Sequence, residues 1–524
     1  MHNGRTYILS WLGCCLPPNH ARMWPRAVVA ALFLAFIAPI RPFTFRIGVP
    51  SSGCGSDSIP NGLRFFAHLA GTKPAELAIV DSTYTYPVDY VVATVTANCS
   101  SAALVSSLQG LAESCQFLLA GSGFAAEQSL VADSLQRILI HATASAGTTS
   151  GLDLPYVYDI TTPPGLFSAH VLKAMLLSNI LRVALAWQPD GGDDMLATAV
   201  CAGALDQLPG LQQLRLDMQL LNYTYSATDA STPGFFRRLV DAALAAGAQA
   251  LLGCGPLAAT EGLAEAAAGQ PLAAVFLVNG PARTDFLQAV GGGSGLAYGL
   301  TATQWSSAVQ HGDSFFGSAV TYGKQFAEWA GVPADADAAG SSAAGLTLAL
   351  ALRTAFARCN ISSDVVQQGD VGRLLFDPTA LACGQPDGIR VLVNSGDTAA
   401  EAHVAKWQVF PMAFTDRAAG AAAINTAVSN ATGYDLVMRT LLQHRTDTFY
   451  GPIEFNAQRR NVAKPPLTMQ LLPKVESGAT LQQGASLSVE VVLPLEAASA
   501  LLVMPVPRQQ LSKAGGGHVL APGA

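Results

Sequence analysis

The sequence predicts an α/β protein of two doubly wound parallel-sheet lobes joined by hinge crossovers. Short apolar runs of strand length alternate with helix-length segments through two successive blocks, 43–160 and 165–304, the order that builds parallel sheets. Many of the strand runs end in Gly, Ser and Thr, as strands do where an open α/β sheet receives a ligand. At 524 residues, half of them hydrophobic, the chain is too long for one ordinary core and too apolar to stay unfolded.

The clearest unit runs from Cys115 to Gly147. Gln116 to Ala120 and Arg137 to His141 are apolar runs of strand length with a helical segment between them, and they open into Gly121-Ser122-Gly123-Phe124 and Thr143-Ala144-Ser145. This is a β-α-β unit whose small, hydroxylated loops let a ligand approach the backbone. Before it, Phe43 to Pro50 reads as a strand ending in Ser51-Ser52-Gly53-Cys54. A helix is expected around Gly62 to Ala70, a strand over Tyr90 to Ala97, and a Ser-capped helix over Ser100 to Ser114. Tyr156 to Ile160 is a strand, and the two prolines of Thr161-Thr162-Pro163-Pro164-Gly165 make the next stretch a turn or hinge.

The pattern then repeats. Helices are expected over 167–181, 193–208, 235–246 and 260–268. Strands are expected over Arg182 to Trp187, Gln219 to Tyr225, Ala248 to Leu252, Ala273 to Val278 and Leu296 to Ala302. Two long helices follow, Phe315 to Ala330 and Gly340 to Ala357; the second is apolar nearly all round, so it belongs inside a lobe. Tyr434 to His444 is a helix, Thr446 to Asn456 a turn entering a short strand, and Leu467 to Leu472 a strand. From residue 474 to 524 the composition loosens into a low-complexity tail.

Charge narrows the partners. A net charge of −7 with 12% charged residues offers no basic field for nucleic acid. Arg22 and Arg26 precede the uncharged run Ala27 to Ile40, so residues 1–42 read as a signal peptide or N-terminal anchor. Sequons at Asn98, Asn222, Asn360 and Asn430 fit a glycosylated, exported chain, secreted or membrane-associated, with its bulk extracellular. Two disulfides are expected: Cys359 with Cys383, stapling a long polar connection, and Cys54 with Cys99, tying two strand-end loops. Neither pair has the spacing of a metal site, and no cofactor or metal is expected.

Catalytic signatures are missing from the sequence: it has no Gly-x-Ser-x-Gly elbow, no His-Glu-x-x-His and no P-loop. Gly253-x-Gly255-x-x-Ala258 matches a dinucleotide fingerprint only superficially, because Pro256 removes an N–H and the next strand ends in Asn279 rather than an acid. His141 near Ser145 has the residue types of a nucleophile pair, but a strand-end histidine is more commonly a core residue.

The distal segments carry a resemblance. Trp305, Ser314 to Tyr322 with Phe326 and Gly331, the Ala-rich helix, and Phe449-Tyr450-Gly451-Pro452-Ile453-Glu454-Phe455-Asn456 follow one another in an order that resembles the type I periplasmic-binding-protein fold. That fold occurs in leucine/isoleucine/valine-binding proteins and in the ligand-binding regions of natriuretic-peptide and metabotropic-glutamate receptors. The resemblance implies lobe 1 at 43–160 and 306–464, and lobe 2 at 165–304 with 465–473. It implies a non-enzymatic module, receptor-type or solute-binding, that closes around a small ligand such as an amino acid. The implied ligand residues are Ser122, Gly123, Phe124, Thr143, Ala144 and Ser145 in lobe 1, and Trp187, Asp190 and Cys254 in lobe 2. Implied partners are a membrane receptor or transport subunit, signal transduction following from closure, or a second copy in a homodimer. The alternatives are an interaction-only ectodomain with a degenerate cleft and, behind it, a hydrolase.

Overall fold

Strand β1 (Phe43–Ser52) shows why the first sheet forms: Phe43, Phe45, Ile47 and Val49, every second residue, are buried on one face while Arg46 between them is exposed, the period-2 alternation of a strand laid against a core. In the computed structural model β1 pairs with β2 (Val88–Ala97) over ten residues and, on its other side, with β3 (Phe117–Leu119). β4 (Leu139–His141) and β5 (Val157–Asp159) complete an all-parallel sheet in the order β2-β1-β3-β4-β5. Helices α1 (Ser58–Thr72), α2 (Ser101–Ser114) and α3 (Ala125–Ser134) make the crossovers. Ser100 starts α2 as read, its Oγ accepting from the Ala103 N–H at 3.2 Å.

The structure describes residues 41–52, 57–98, 100–121, 123–143, 152–189, 195–278, 286, 296–357, 359–383, 432–473 and 487–505. The N-terminal segment up to residue 40, the proposed Cys54–Cys99 pair, Ser122, Ala144, Ser145, Asp190 and Asn430 lie outside the described residues.

The second sheet is built from β6 (Arg182–Trp187), β7 (Gln219–Thr224), β8 (Ala250–Cys254), β9 (Ala274–Leu277), β10 (Leu300–Thr303), β11 (Leu467–Pro473) and β12 (Leu487–Leu493). Their order is β12-β11-β10-β9-β8-β6-β7. The strands from β10 to β7 are parallel, and β11 and β12 are antiparallel additions. Helices α4 (Ala169–Leu177), α5 (Met195–Leu214), α6 (Phe235–Ala245) and α7 (Leu257–Ala267) accompany it. β12 falls where composition alone suggests a low-complexity tail. The local pattern Leu-Ser-Val-Glu-Val-Val-Leu is a strand alternation, and a loosened average across residues 474–524 hides it.

Back in the first lobe, α8 (Ala319–Ala330) starts four residues later than the sequence suggests. The Asp313 carboxylate accepts from the N–H groups of Phe315 and Phe316 at 2.9 and 2.6 Å, holding the preceding residues in a turn. It also accepts from the Phe449 N–H at 2.8 Å, so this turn is fastened to the hairpin formed by the short strands Thr446–Thr448 and Gly451–Ile453. Helix α9 (Ala336–Phe356) is buried along most of its length, as its all-round apolar surface requires. Its buried hydroxyls are bonded: Ser342 Oγ donates to the Gly62 carbonyl at 2.6 Å and Thr347 Oγ1 to the Ala343 carbonyl at 2.8 Å. Helix α10 (Gly433–Gln443) also packs on α9.

α1 and α9 meet so closely at Gly62 that a Cβ there would overlap the Ala338 carbonyl and Ser341 Oγ. Gly62→Ala is therefore expected to destabilise the lobe by ~1–3 kcal/mol, the usual range for overpacking. Gly71→Ala, in the same helix with nothing within 4 Å of the new methyl, is expected to be neutral or stabilising by up to ~1 kcal/mol. Urea midpoints of the two variants, measured side by side, check the contrast.

Candidate functional site

The loops of interest leave the carboxyl ends of the parallel strands, where short turns bring backbone N–H groups and small side chains to the sheet edge. After β3 the chain passes Gly121 and Gly123 into Phe124. Gly123 and Phe124 both have left-handed backbones, with φ of 74° and 49°. For a phenylalanine that conformation is strained, and such strain collects at sites where geometry serves a ligand. Phe124 is also 39% exposed at the start of α3, an aromatic face presented to solvent.

A buried scaffold that sequence reasoning passed over holds this loop. Gln128, fully buried on α3, accepts from the Gly121 N–H at 2.9 Å and donates to the carbonyls of Gly121 and Gly123 at 3.2 and 2.6 Å. Beside it, Ser129 Oγ donates to the Ala125 carbonyl at 2.6 Å. A hydroxyl has one proton to give, so the 2.8 Å contact with His141 is Nε2–H donating to Oγ. His141 is fully buried, and burial pushes its imidazole down to about 4, leaving it neutral at pH 7. The pair ties the end of β4 to the start of α3. It is enclosed, so it works as framework rather than as a nucleophile and base.

Two residues beyond His141, Thr143 is buried at 6% exposure. The backbone of β4 is pinned here from behind, because Gly340 of α9 lies so close that a Cβ would overlap the Ala142 carbonyl. In the first lobe the structure therefore brings Gly123, Phe124 and Thr143 to adjacent strand ends on one rigid support.

In the second lobe Trp187 ends β6, half-buried, and its Nε1–H donates to Asn222 Oδ1 at 2.8 Å. The indole is thereby oriented along β7, and Asn222, one of the sequon residues, is exposed. Asn98 and Asn360 are exposed as well. Cys254 differs from its expected role. It is 1% exposed and disulfide-bonded to Cys201 of α5, so its sulfur serves the lobe's interior instead of a ligand. Its carbonyl accepts from the Tyr225 hydroxyl at 3.1 Å, and Gly255 supplies the space that hydroxyl occupies. The second disulfide, Cys359–Cys383, joins the two short strands Cys359–Ile361 and Leu381–Cys383 as the sequence suggests.

None of the candidate residues lines the cavity of about 420 Å³ found at the crossovers, whose walls include His311, Arg445, Asp447 and Glu496. Arg445 and Asp447 pair there at 3.2 Å with both side chains more than half exposed, which describes a solvated rim. Among the described residues no group of three His, Cys, Asp or Glu is arranged to hold a metal ion, and no helix is long and apolar enough to cross a membrane.

Comparison with solved structures places the fold. A protein from Silicibacter pomeroyi described as a branched-chain amino acid ABC transporter superposes with a TM-score of 0.59 at 13% identity, covering 89% of this chain and 99% of that one. The ABC transporter substrate-binding protein from Desulfitobacterium hafniense, solved with Leu, gives 0.51 at 10% identity, covering 85% and 99%. The branched-chain amino acid transporter substrate-binding protein LivJ from Streptococcus pneumoniae, solved with isoleucine, gives 0.51 at 12% identity, covering 86% and 100%. No family model matches the sequence, and no curated protein matches it. At these identities the likeness is one of fold: the chain has the type I periplasmic-binding-protein fold.

Proposed function

We propose that this chain is an exported, non-enzymatic module that closes its two lobes around a small ligand, an amino acid or a related small molecule. The observation that carries the reading is the loop at Gly121–Phe124. A buried glutamine fixes it, a strained aromatic opens it to solvent, and Thr143 stands beside it. Such a preorganised strand-end loop lowers the ordering cost of binding. From the second lobe Trp187 and Asp190 would supply the opposing contacts, so that ligand touching both lobes favours the closed form. Solved proteins of the same fold hold Leu and isoleucine, which makes small amino acids the first probes. Export, glycosylation at Asn98, Asn222, Asn360 and Asn430, and coupling to a receptor or transport subunit complete the proposal.

The test is a thermal-shift screen of the full chain against amino acids and small organic acids. A true ligand at a hundredfold excess over its dissociation constant adds ~2.7 kcal/mol to the folded state. Phe124→Ala and Trp187→Ala are each expected to weaken a hit about tenfold, ~1.4 kcal/mol, without lowering the melting temperature of the free protein by more than a few degrees. A folded protein that responds to nothing in the panel would overturn the small-ligand reading in favour of an interaction-only ectodomain.

A further inference from the structure

The chain passes between the two sheets three times: after β5 near residue 160, after β10 near residue 304, and before β11 near residue 464. Each passage contributes one buried polar residue to a single hydrogen-bonded ring. Gln304 presents its amide to Thr162 as a backbone would. Its Oε1 accepts from the Thr162 N–H at 3.0 Å, and its Nε2 donates to the Thr162 carbonyl at 2.8 Å. Thr162 Oγ1 donates to the Lys464 carbonyl at 3.1 Å, and Lys464 Nζ donates to Gln304 Oε1 at 3.3 Å, which closes the ring. A second tie runs alongside it. The Asn461 N–H donates to the Asp159 carbonyl at 2.8 Å, and Asn461 Nδ2 to the Ile160 carbonyl at 3.0 Å.

Burying a lysine is unfavourable unless its ammonium is well placed, and an apolar side chain of similar size would usually stabilise a core better. Here the surroundings are shaped for the lysine. Lys464 Nζ lies 3.0 Å above the centre of the Tyr450 ring, a cation–π contact. Gly451 has φ of 123°, a backbone conformation that favours glycine, and the lysine's Cγ, Cδ and Cε run alongside it, 3.4–3.6 Å from where a Cβ would stand. The Tyr450 ring of the distal motif thus seats the lysine's ammonium.

We propose that Thr162, Gln304 and Lys464 form a latch across the three crossovers that holds the lobes at one orientation, so that any change in the angle between them has to break the ring. A closed ring of directional bonds is either made or broken. It therefore acts as a two-state element rather than a soft spring. The inference concerns the ligand-free chain and does not depend on what the strand-end loops bind.

The experiment uses the full, ligand-free chain carrying nitroxide labels at Lys324→Cys in the first lobe and Arg237→Cys in the second, both exposed positions. Interlobe distances are read by pulsed electron resonance, and amide exchange is followed at Asn461, whose own acceptor none of the variants touches. Gln304→Met and Lys464→Met are each expected to broaden the distance distribution at least twofold and to speed Asn461 exchange about tenfold. Thr162→Val, which loses one bond of the ring and keeps its volume, is expected to give the same changes at about a third of the amplitude. It serves as the reading if the other two variants do not fold. Distances and exchange that match the parent chain, even with a lower melting temperature, would overturn the latch and leave the three residues as ordinary stabilising contacts.

Discussion

Replacing Cys201 and Cys254 together by serine is expected to destabilise the second lobe by about 4 kcal/mol and to lower its unfolding temperature by roughly 10 °C. The bridge spans 53 positions of sequence, and loop closure on that scale removes entropy from the unfolded chain worth ~4 kcal/mol. The native contribution has the same sign. Both cysteines are almost fully buried among Val200, Ala204 and Leu252, so two hydroxyls there would lack the bonds that buried polar groups need. The bridge also fastens the end of β8 to α5, and β8 leads directly to Gly255 and the loop in front of it. Calorimetry of the double variant against the parent, with mass spectrometry to verify the thiol count, checks the size of the loss. The corresponding change at Cys359 and Cys383, whose loop spans 24 positions, is expected to cost slightly less, ~3.5 kcal/mol. If the Cys201–Cys254 variant melts within 2 °C of the parent, the bridge does not constrain the unfolded lobe as this account requires.

That disulfide also shows where sequence reasoning stops. Cys359 and Cys383 flank a polar connection, so a staple is legible there. Cys201 sits in mid-helix and Cys254 at a strand end, where resemblance to ligand-binding folds assigns the position to a site without asking what the sulfur meets. The strands themselves are legible because a parallel strand covered on both faces, such as Ala250–Cys254, is apolar throughout. The Gly and Thr of the loops are legible because few other residues suit a turn at a sheet edge. His141 is legible as a core histidine at a strand end, but Gln128 and Lys464 are not. A polar side chain in a core has no periodicity to betray it, and its reason is a partner far off in sequence. For Lys464 the partners are Gln304, 160 positions away, and the Tyr450 ring. A lysine flanked by Ala463 and Pro465 reads as a solvated loop residue until the fold brings those partners to it.

His141 gives the second large effect, and its sign follows from burial. Its pKa is about 4 in the folded chain against ~6.5 when unfolded, so folding favours the neutral imidazole. Stability is therefore intact above pH 6.5 and lost as pH falls through that value towards 4, by about 3 kcal/mol in all. Asp159 and Asp337 work the other way. Burial raises each to about 6, so each stabilises the fold at low pH and loses that contribution as pH rises through about 6. The raw pH profile of the parent chain consequently mixes opposing trends, and the difference from His141→Gln isolates the histidine. At pH 7 the variant is expected to be less stable by ~1–2 kcal/mol, since the bond to Ser129 and some packing are lost. Because glutamine does not titrate, that deficit is expected to shrink below pH 6.5 and to reverse by pH 4.5. Urea unfolding of both chains at pH 7, 6, 5 and 4.5 measures it. Two curves that stay parallel across that range would mean that the imidazole already takes up its proton in the folded state, and the tie between β4 and α3 would then have to be solvated rather than buried.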